Sequence, residues 1–220
     1  MEFSGEAFQS GHGIRWCLAG ERFLANGIGG ALAASADWSY VHGYGGADPE
    51  NALALAAICS RFACFHTVLL HGAAVDYQGE SILFVGPSGI GKTTQAELWA
   101  KHLDGQIING DKVLLRQFPD GVIRACGLPW KGSSPYCLNR NVPVKAVVAL
   151  RQSGENRIRR LSQLECMEYF LPHIFLPHWD PACLEGALDT ASDLIEQLPI
   201  YLLECRPDEA AVALTAKTIL

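Results

Sequence analysis

The stretch Gly86-Pro87-Ser88-Gly89-Ile90-Gly91-Lys92-Thr93 constrains this chain more than any other, because it fits G-x-x-x-x-G-K-[ST] at every specified position. It follows the apolar run Ser81 to Val85, which predicts a strand buried on both faces, and it precedes a helix predicted from Lys92 to about His102. Strand, glycine-rich curl and helix in that order make a phosphate-binding loop. The glycines let successive amide hydrogens point inward at phosphate oxygens, and the start of the helix adds its positive dipole end. Lys92 is expected to reach the β and γ phosphates, and Thr93 to offer its hydroxyl to magnesium. The expected nucleotide-binding residues are therefore Gly86, Pro87, Ser88, Gly89, Ile90, Gly91, Lys92, Thr93 and Thr94.

Such a loop needs a sheet flanked by helices, and strand and helix signals alternate through the rest of the chain. Val68 to Val75 and Ser81 to Val85 predict two strands joined by the turn Asp76-Tyr77-Gln78-Gly79. Further strands are expected at Gln106 to Asn109, Val113 to Gln117, Val122 to Cys126, Val144 to Leu150 and Ile200 to Glu204, with a long loop over Gly127 to Asn141. Asp48-Pro49-Glu50 and Asp180-Pro181 open helices, since Asp accepts orphan amide hydrogens and Pro fits the first helical position. Ser162-Gln163-Leu164-Glu165 is a capping box, and a closing helix starts near Pro207. The basic run Arg151 to Arg160, alternating around Ile158, reads as a strand with a solvated face. The expected fold class is α/β, a central mixed β-sheet containing the loop and flanked by helices. Residues 1–48, rich in Gly and small side chains with strand-like pieces at Ile14 to Leu18 and Arg22 to Leu24, form a β-rich extension of the same domain as 49–220.

Composition narrows the partners. Of the 220 residues 49% are apolar and 18% charged, a globular balance with enough apolar material for a sizeable core. Lys and Arg number 17 against 23 Asp and Glu, a net charge of −6 that offers no basic footprint for nucleic acid. The longest strongly apolar run, Ala52 to Cys59, is broken by Ser60 and Arg61, well short of a membrane span. The acidic start Met1-Glu2-Phe3-Ser4-Gly5-Glu6 is unlike a secretory leader, which predicts a cytoplasmic location. Eight cysteines are scattered without a Cys-x-x-Cys pair and read as reduced, mostly buried thiols. A metal cluster from Cys59, Cys64, His66 and His71 has irregular spacing against it.

Magnesium at a phosphate loop requires a nearby carboxylate, usually at the end of an adjacent strand. Asp111, after Gln106-Ile107-Ile108-Asn109-Gly110, is the candidate; the alternative is a turn aspartate capping its own backbone. His71, at the end of the strand before the loop, is a candidate catalytic or phosphate-contacting group, with a purely structural histidine as its alternative. Lys92, Asp111 and His71 are thus the catalytic candidates, and Thr93 with Asp111 the metal candidates.

The order His71-Gly72, Val75-Asp76 with Gly79, the loop with Ser88, and Asn109-Gly110-Asp111 resembles the catalytic domain of HPr kinase/phosphorylase, related in fold to ATP-dependent phosphoenolpyruvate carboxykinase. The resemblance covers about Val68 to Leu150, and Gly127-Leu128-Pro129-Trp130 followed by Val142-Pro143-Val144-Lys145 resembles small bacterial relatives of that family. It implies ATP and Mg2+ as cofactors, transfer of the γ-phosphoryl group to a serine-type hydroxyl of a peptide, protein or small molecule, and self-association into a homo-oligomer. The family carries an Asp-Asp pair where this chain has Gly110-Asp111, so Gly110 stands where the resemblance implies the acid that activates the attacking hydroxyl. Asp111 or His71 would then share that task, while Lys131 and Arg140 lie in a loop able to fold over nucleotide or acceptor. The missing acid also fits a second class, a nucleotide-binding regulatory protein with little or no transfer. Carboxykinase-like chemistry on a carboxylic acid ranks third, since the chain is short for it.

Overall fold

The structure, a computed structural model, describes residues 7–10, 14–19, 22–27, 30–45 and 52–220, with side chains over 30–43 and 53–220. The acidic start, the Cys17 thiol and the Asp48-Pro49-Glu50 helix opening lie outside the described residues. Chain contacts divide the protein into two compact units, one of Met1–His66 with Leu176–Asp189 and one of Thr67–Phe175 with Thr190–Leu220. Among the described residues no helix is long and apolar enough to cross a membrane.

The first unit holds an antiparallel meander of β1 (Ala7–Ser10), β2 (Ile14–Ala19), β3 (Arg22–Gly27), β4 (Gly30–Ser35) and β5 (Val41–Gly45), with helix α1 (Ala52–Ala63). Asp180 opens helix α4 (Pro181–Gln197) as expected: its Oδ1 accepts the amides of Ala182 and Cys183, while Oδ2 accepts the indole N–H of Trp38 at 2.7 Å. The indole of Trp179 donates to Ser60 Oγ at 2.8 Å. These bonds tie the turn after β4, α1 and the start of α4 into one body.

The second unit is a mixed sheet with strand order β10-β9-β6-β7-β11-β14-β12, built from β6 (Thr67–Tyr77), β7 (Glu80–Val85), β9 (Lys112–Gln117), β10 (Ile123–Gly127), β11 (Asn141–Gln152), β12 (Arg157–Arg160) and β14 (Ile200–Cys205). β6 and β7 form a hairpin whose turn is only Gln78-Gly79, both at positive φ (53° and 85°), so Asp76 and Tyr77 belong to the strand rather than to the turn the sequence suggests. β7, β11 and β14 run parallel, and their side chains are buried on both faces: Leu83 and Phe84 are each fully shielded. That is the reason the strand leading to the glycine-rich loop is continuously apolar. On one face α2 (Lys92–Leu103) and α5 (Glu209–Ile219) bury Ala96, Trp99, Val212 and Ile219 against Val75, Phe84, Val148 and Leu203. Trp99 meets Tyr77 edge-on at 5.8 Å. Helix α3 (Gln163–Tyr169) starts with the expected capping box. The basic run from Arg151 to Arg160 is not the single strand expected: it covers the end of β11, a turn over 153–156 and the exposed edge strand β12, with Arg151 paired to Glu204, Arg157 to Glu155 and Arg159 to Glu165.

One irregularity of this sheet makes the site. β8 (Gln106–Asn109) and β9 follow one another antiparallel to β6, Ala74 facing Asn109 and His71 facing Lys112, so they are a single run interrupted at Gly110-Asp111. The same stretch of β6 exchanges neighbours on its other side, from the short β13 (Ile174–Phe175) to β7 at Gly72. A gap in the ladder therefore opens beside the end of β7, where the glycine-rich loop begins.

Candidate functional site

β7 ends at Val85 and is followed by Gly86, whose φ of 146° only glycine adopts readily; a Cβ there would stand 3.0 Å from Ile90 Cγ2. The chain curls through Gly89 and enters α2 from Gly91, at φ 113° and ψ 22°, with the Gln95 amide bonded to the Gly91 carbonyl at 2.9 Å. Lys92 is 7% exposed, and its Nζ donates to the carbonyls of Gly86 at 2.9 Å and Pro87 at 3.1 Å. Burial lowers its pKa from the ordinary lysine value, and the negative charge of Asp111 acts in the opposite sense. Thr93 Oγ1 donates to the Gly110 carbonyl at 2.9 Å, which orients the hydroxyl and leaves its lone pairs for an acceptor role.

Across the gap in the ladder stands Asp111. The sequence alternative for it, a turn aspartate capping its own backbone, is met by Asn109 instead. The fully buried Asn109 accepts the amides of Asp111 and Lys112 through Oδ1, at 2.9 and 3.1 Å. Its Nδ2 donates to the carbonyls of Leu128 and Trp130. The Asp111 carboxylate is left to face the cleft, where His71 Nε2 lies 3.4 Å from Oδ1 and Lys112 Nζ bonds to Oδ2. The His71 hydrogen bond, reinforced by Lys112 against the effect of burial, holds the carboxyl down at about 2, so it is ionised at neutral pH.

His71, Ser88, Lys92, Thr93, Asp111 and Ser133 line a cleft of about 410 Å3, together with Gly89, Gly91 and Thr94. Gly86, Pro87 and Ile90 are not part of that lining: the first two hold the Lys92 ammonium with their carbonyls, and Ile90 packs against the hydrophobic core. Arg140 is turned away from the cleft, its guanidinium on Asp76 at 2.7 Å and on Gln106. The reason is local, since Arg140 directly precedes β11 and sits beside the β8 edge.

No family model and no curated protein matches the chain. Among solved structures it is similar to the Hpr(Ser) kinase/phosphatase from Coxiella burnetii, with 10% sequence identity and a TM-score of 0.41 over 68% of this chain and 94% of that one. A likeness at that level fixes neither family nor activity, and the side chains carry the chemistry.

Four residues at or behind the cleft were not singled out by sequence. Asn109 reads as one more turn residue, and its buried amide emerges only when Leu128 and Trp130 fold over it. Lys112 begins an apolar strand and carries no motif. Ser134 is 8% exposed and packs over Gly110 so closely that a Cβ at 110 would stand 2.1 Å from its Oγ. His173, in the 3-10 turn Leu171–His173, is half-buried near Lys92 and His71; burial first, then the charge of Lys92 and the neighbouring His71, holds its pKa down at about 4. A signal for Lys112 existed in its place beside the candidate acid; the other three depend on contacts distant in sequence.

Proposed function

We propose that the protein is an ATP- and Mg2+-dependent phosphotransferase of the HPr kinase and phosphoenolpyruvate carboxykinase type, which moves the γ-phosphoryl group to a serine-type hydroxyl of a peptide, protein or small molecule. The observation that carries this reading is the meeting, in one cleft, of the Gly86–Thr93 loop with its buried Lys92 and an ionised Asp111. The loop amides and Lys92 would hold the phosphates, Lys92 exchanging the carbonyls of Gly86 and Pro87 for phosphate oxygens. The residues suit magnesium: it favours hard oxygen donors, takes one or two from the protein and keeps several waters. Thr93 and Asp111 supply a hydroxyl and a carboxylate of that kind. When bound, the metal would neutralise charge on the departing phosphoryl group.

Phosphoryl transfer passes through a loose transition state, so the protein mainly positions the reactants and balances charge. With a pKa of about 2, Asp111 is a weak proton acceptor, and its part is to hold metal and orient the acceptor hydroxyl. His71, in contact with the same carboxylate at 3.4 Å, fixes its direction and stands at the cleft to share the proton. A side chain at position 110 would collide with Ser134, whose Oγ lies 2.1 Å from where its Cβ would stand. One observation favours the second reading, a nucleotide-binding regulator: both Asp111 oxygens are engaged by the chain's own His71 and Lys112.

Incubation with Mg-ATP and a panel of serine peptides and hydroxyl-bearing metabolites, read by mass spectrometry, separates the two. Gain of one phosphate on an acceptor supports the transferase; tight nucleotide binding without any transfer supports the regulator. In the Asp111→Asn protein transfer is expected to vanish while nucleotide binding persists, and near-normal turnover in that variant overturns the role of Asp111.

A further inference from the structure

Among the described residues the exposed thiols are Cys64 and Cys137, while Cys59, Cys166, Cys183 and Cys205 are buried. Cys64 differs from Cys137 in its neighbour. It stands in the turn one residue past α1, and the Cys183 thiol, in the first turn of α4, is in hydrogen-bond contact with it. The two backbones approach closely at this point: a Cβ at Gly186, on the same face of α4 as Cys183, would lie 3.3 Å from the Ala63 carbonyl oxygen. Both cysteines belong to the first compact unit, where Trp38 on Asp180 and Trp179 on Ser60 fix the start of α4.

Asp180 is the third group at this pair. Its Oδ2 accepts the Cys183 S–H at 3.1 Å as well as the Trp38 indole N–H, while its Oδ1 caps α4 through the amides of Ala182 and Cys183. Burial first, then the hydrogen bond to Asp180 and the Cys64 thiol, pushes the Cys183 pKa far above the ordinary cysteine range. Cys183 is therefore protonated and shielded from an oxidant in solution, whereas Cys64 is open to one. An accessible thiol beside a second, resolving thiol is the arrangement in which a peroxide-oxidised cysteine goes on to a disulfide. The Asp180 carboxylate supplies the proton acceptor that a protonated resolving thiol needs.

We infer that Cys64 and Cys183 are a peroxide-reactive pair: Cys64 takes the oxidant and Cys183 closes a reversible disulfide between the end of α1 and the start of α4, with Asp180 as its proton acceptor. In the first step the Cys64 thiol gives up its proton and its sulfur attacks one oxygen of hydrogen peroxide. The O–O bond breaks, the leaving hydroxide takes that proton as water, and Cys64 becomes a sulfenic acid. In the second step the Cys183 sulfur attacks the Cys64 sulfur as the S–H proton passes to Asp180 Oδ2. The S–OH bond breaks, and the departing hydroxide takes up that proton as a second water. Two thiols are oxidised to one disulfide and one peroxide is reduced to two waters. The pair shares no residue with the phosphate cleft, so the inference holds whether or not the loop binds nucleotide.

Treatment of the reduced full chain with a single equivalent of hydrogen peroxide, followed by N-ethylmaleimide and peptide mass spectrometry without reductant, tests this. The expected product is a peptide pair bridged between Cys64 and Cys183, with two fewer alkylated thiols than the eight of the reduced chain and recovery of all eight after dithiothreitol. In Cys183→Ser the oxidation is expected to stop at the Cys64 sulfenic acid, which dimedone traps and which the wild-type protein does not accumulate. Asp180→Asn keeps a capping side chain and removes the proton acceptor, so closure of the bridge should slow at least about tenfold in samples quenched at intervals. Cys64 and Cys183 both still alkylated after peroxide overturn the site. A Cys64 sulfenic acid that persists in the wild-type protein, or a bridge from Cys64 to another cysteine, overturns it likewise. An unchanged rate of closure in Asp180→Asn overturns the part given to Asp180.

Discussion

At the scale of single residues, the site depends on what is absent at position 110. Ser134 lies where a side chain at 110 would go, and the Gly110 carbonyl holds the Thr93 hydroxyl at 2.9 Å. Gly110→Ala is expected to destabilise the fold by about 1–3 kcal/mol through overpacking, with most of the loss recovered in the Gly110→Ala/Ser134→Gly double variant. Urea denaturation of the four proteins in that cycle measures it; independent effects of the two substitutions refute the contact. Lys92 carries a different prediction. Its ammonium is the buried cation of the loop, so Lys92→Met should weaken Mg-ATP binding by about 1.5–3 kcal/mol, the range for hydrogen bonds to charged groups. Calorimetry checks it, and unchanged affinity would place the phosphates elsewhere.

At the scale of elements, the decisive feature is the interruption between β8 and β9. An ordinary ladder would pair every residue of that run with β6 and aim its side chains alternately to the two faces. The break is held by Asn109, whose side chain bonds two amides and two carbonyls at once. Asn109→Ala leaves those buried groups without partners, and a loss of at least about 2 kcal/mol is expected in denaturant unfolding. Release of Asp111 from its orientation should follow, seen by NMR as a carboxyl titrating closer to its ordinary value than about 2. The strand-loop-helix unit and the start of α4 were legible in sequence because apolar runs, glycines and an Asp-Pro step act within a few residues. The break was not, since Asn-Gly-Asp permits several turns and only the register on β6 selects one.

At the scale of the whole molecule, acid sensitivity follows from the same cluster. His173 has a pKa near 4 in the folded protein against an ordinary 6.5, so between those values the unfolded chain binds the extra proton. Its contribution to stability is complete above about pH 6.5 and is lost as pH falls through 4. Asp111, at about 2 against 3.8, adds a further loss below about pH 4. Unfolding free energy measured from pH 7 to 4 should therefore decline, and the decline should be shallower in His173→Gln. An identical profile in that variant would show that burial does not hold His173 neutral in the folded protein.

What the sequence determined by itself was local: a buried strand, the glycine curl after it, the helix it feeds, the capping box and the alternating order of elements. Backbone conformation and side-chain periodicity specify these within a turn or two of chain. The five-stranded meander over 7–45 was only partly legible, because its Gly and Ala residues carry little alternation in bulk. Tertiary structure alone decided that Leu128 and Trp130 fold over the Asn109 amide, that Ser134 closes over Gly110, and that His173 comes near Lys92. The physical reason is separation along the chain. Such contacts exist only once β6 has exchanged its partners and brought segments tens of residues apart to the gap beside β7.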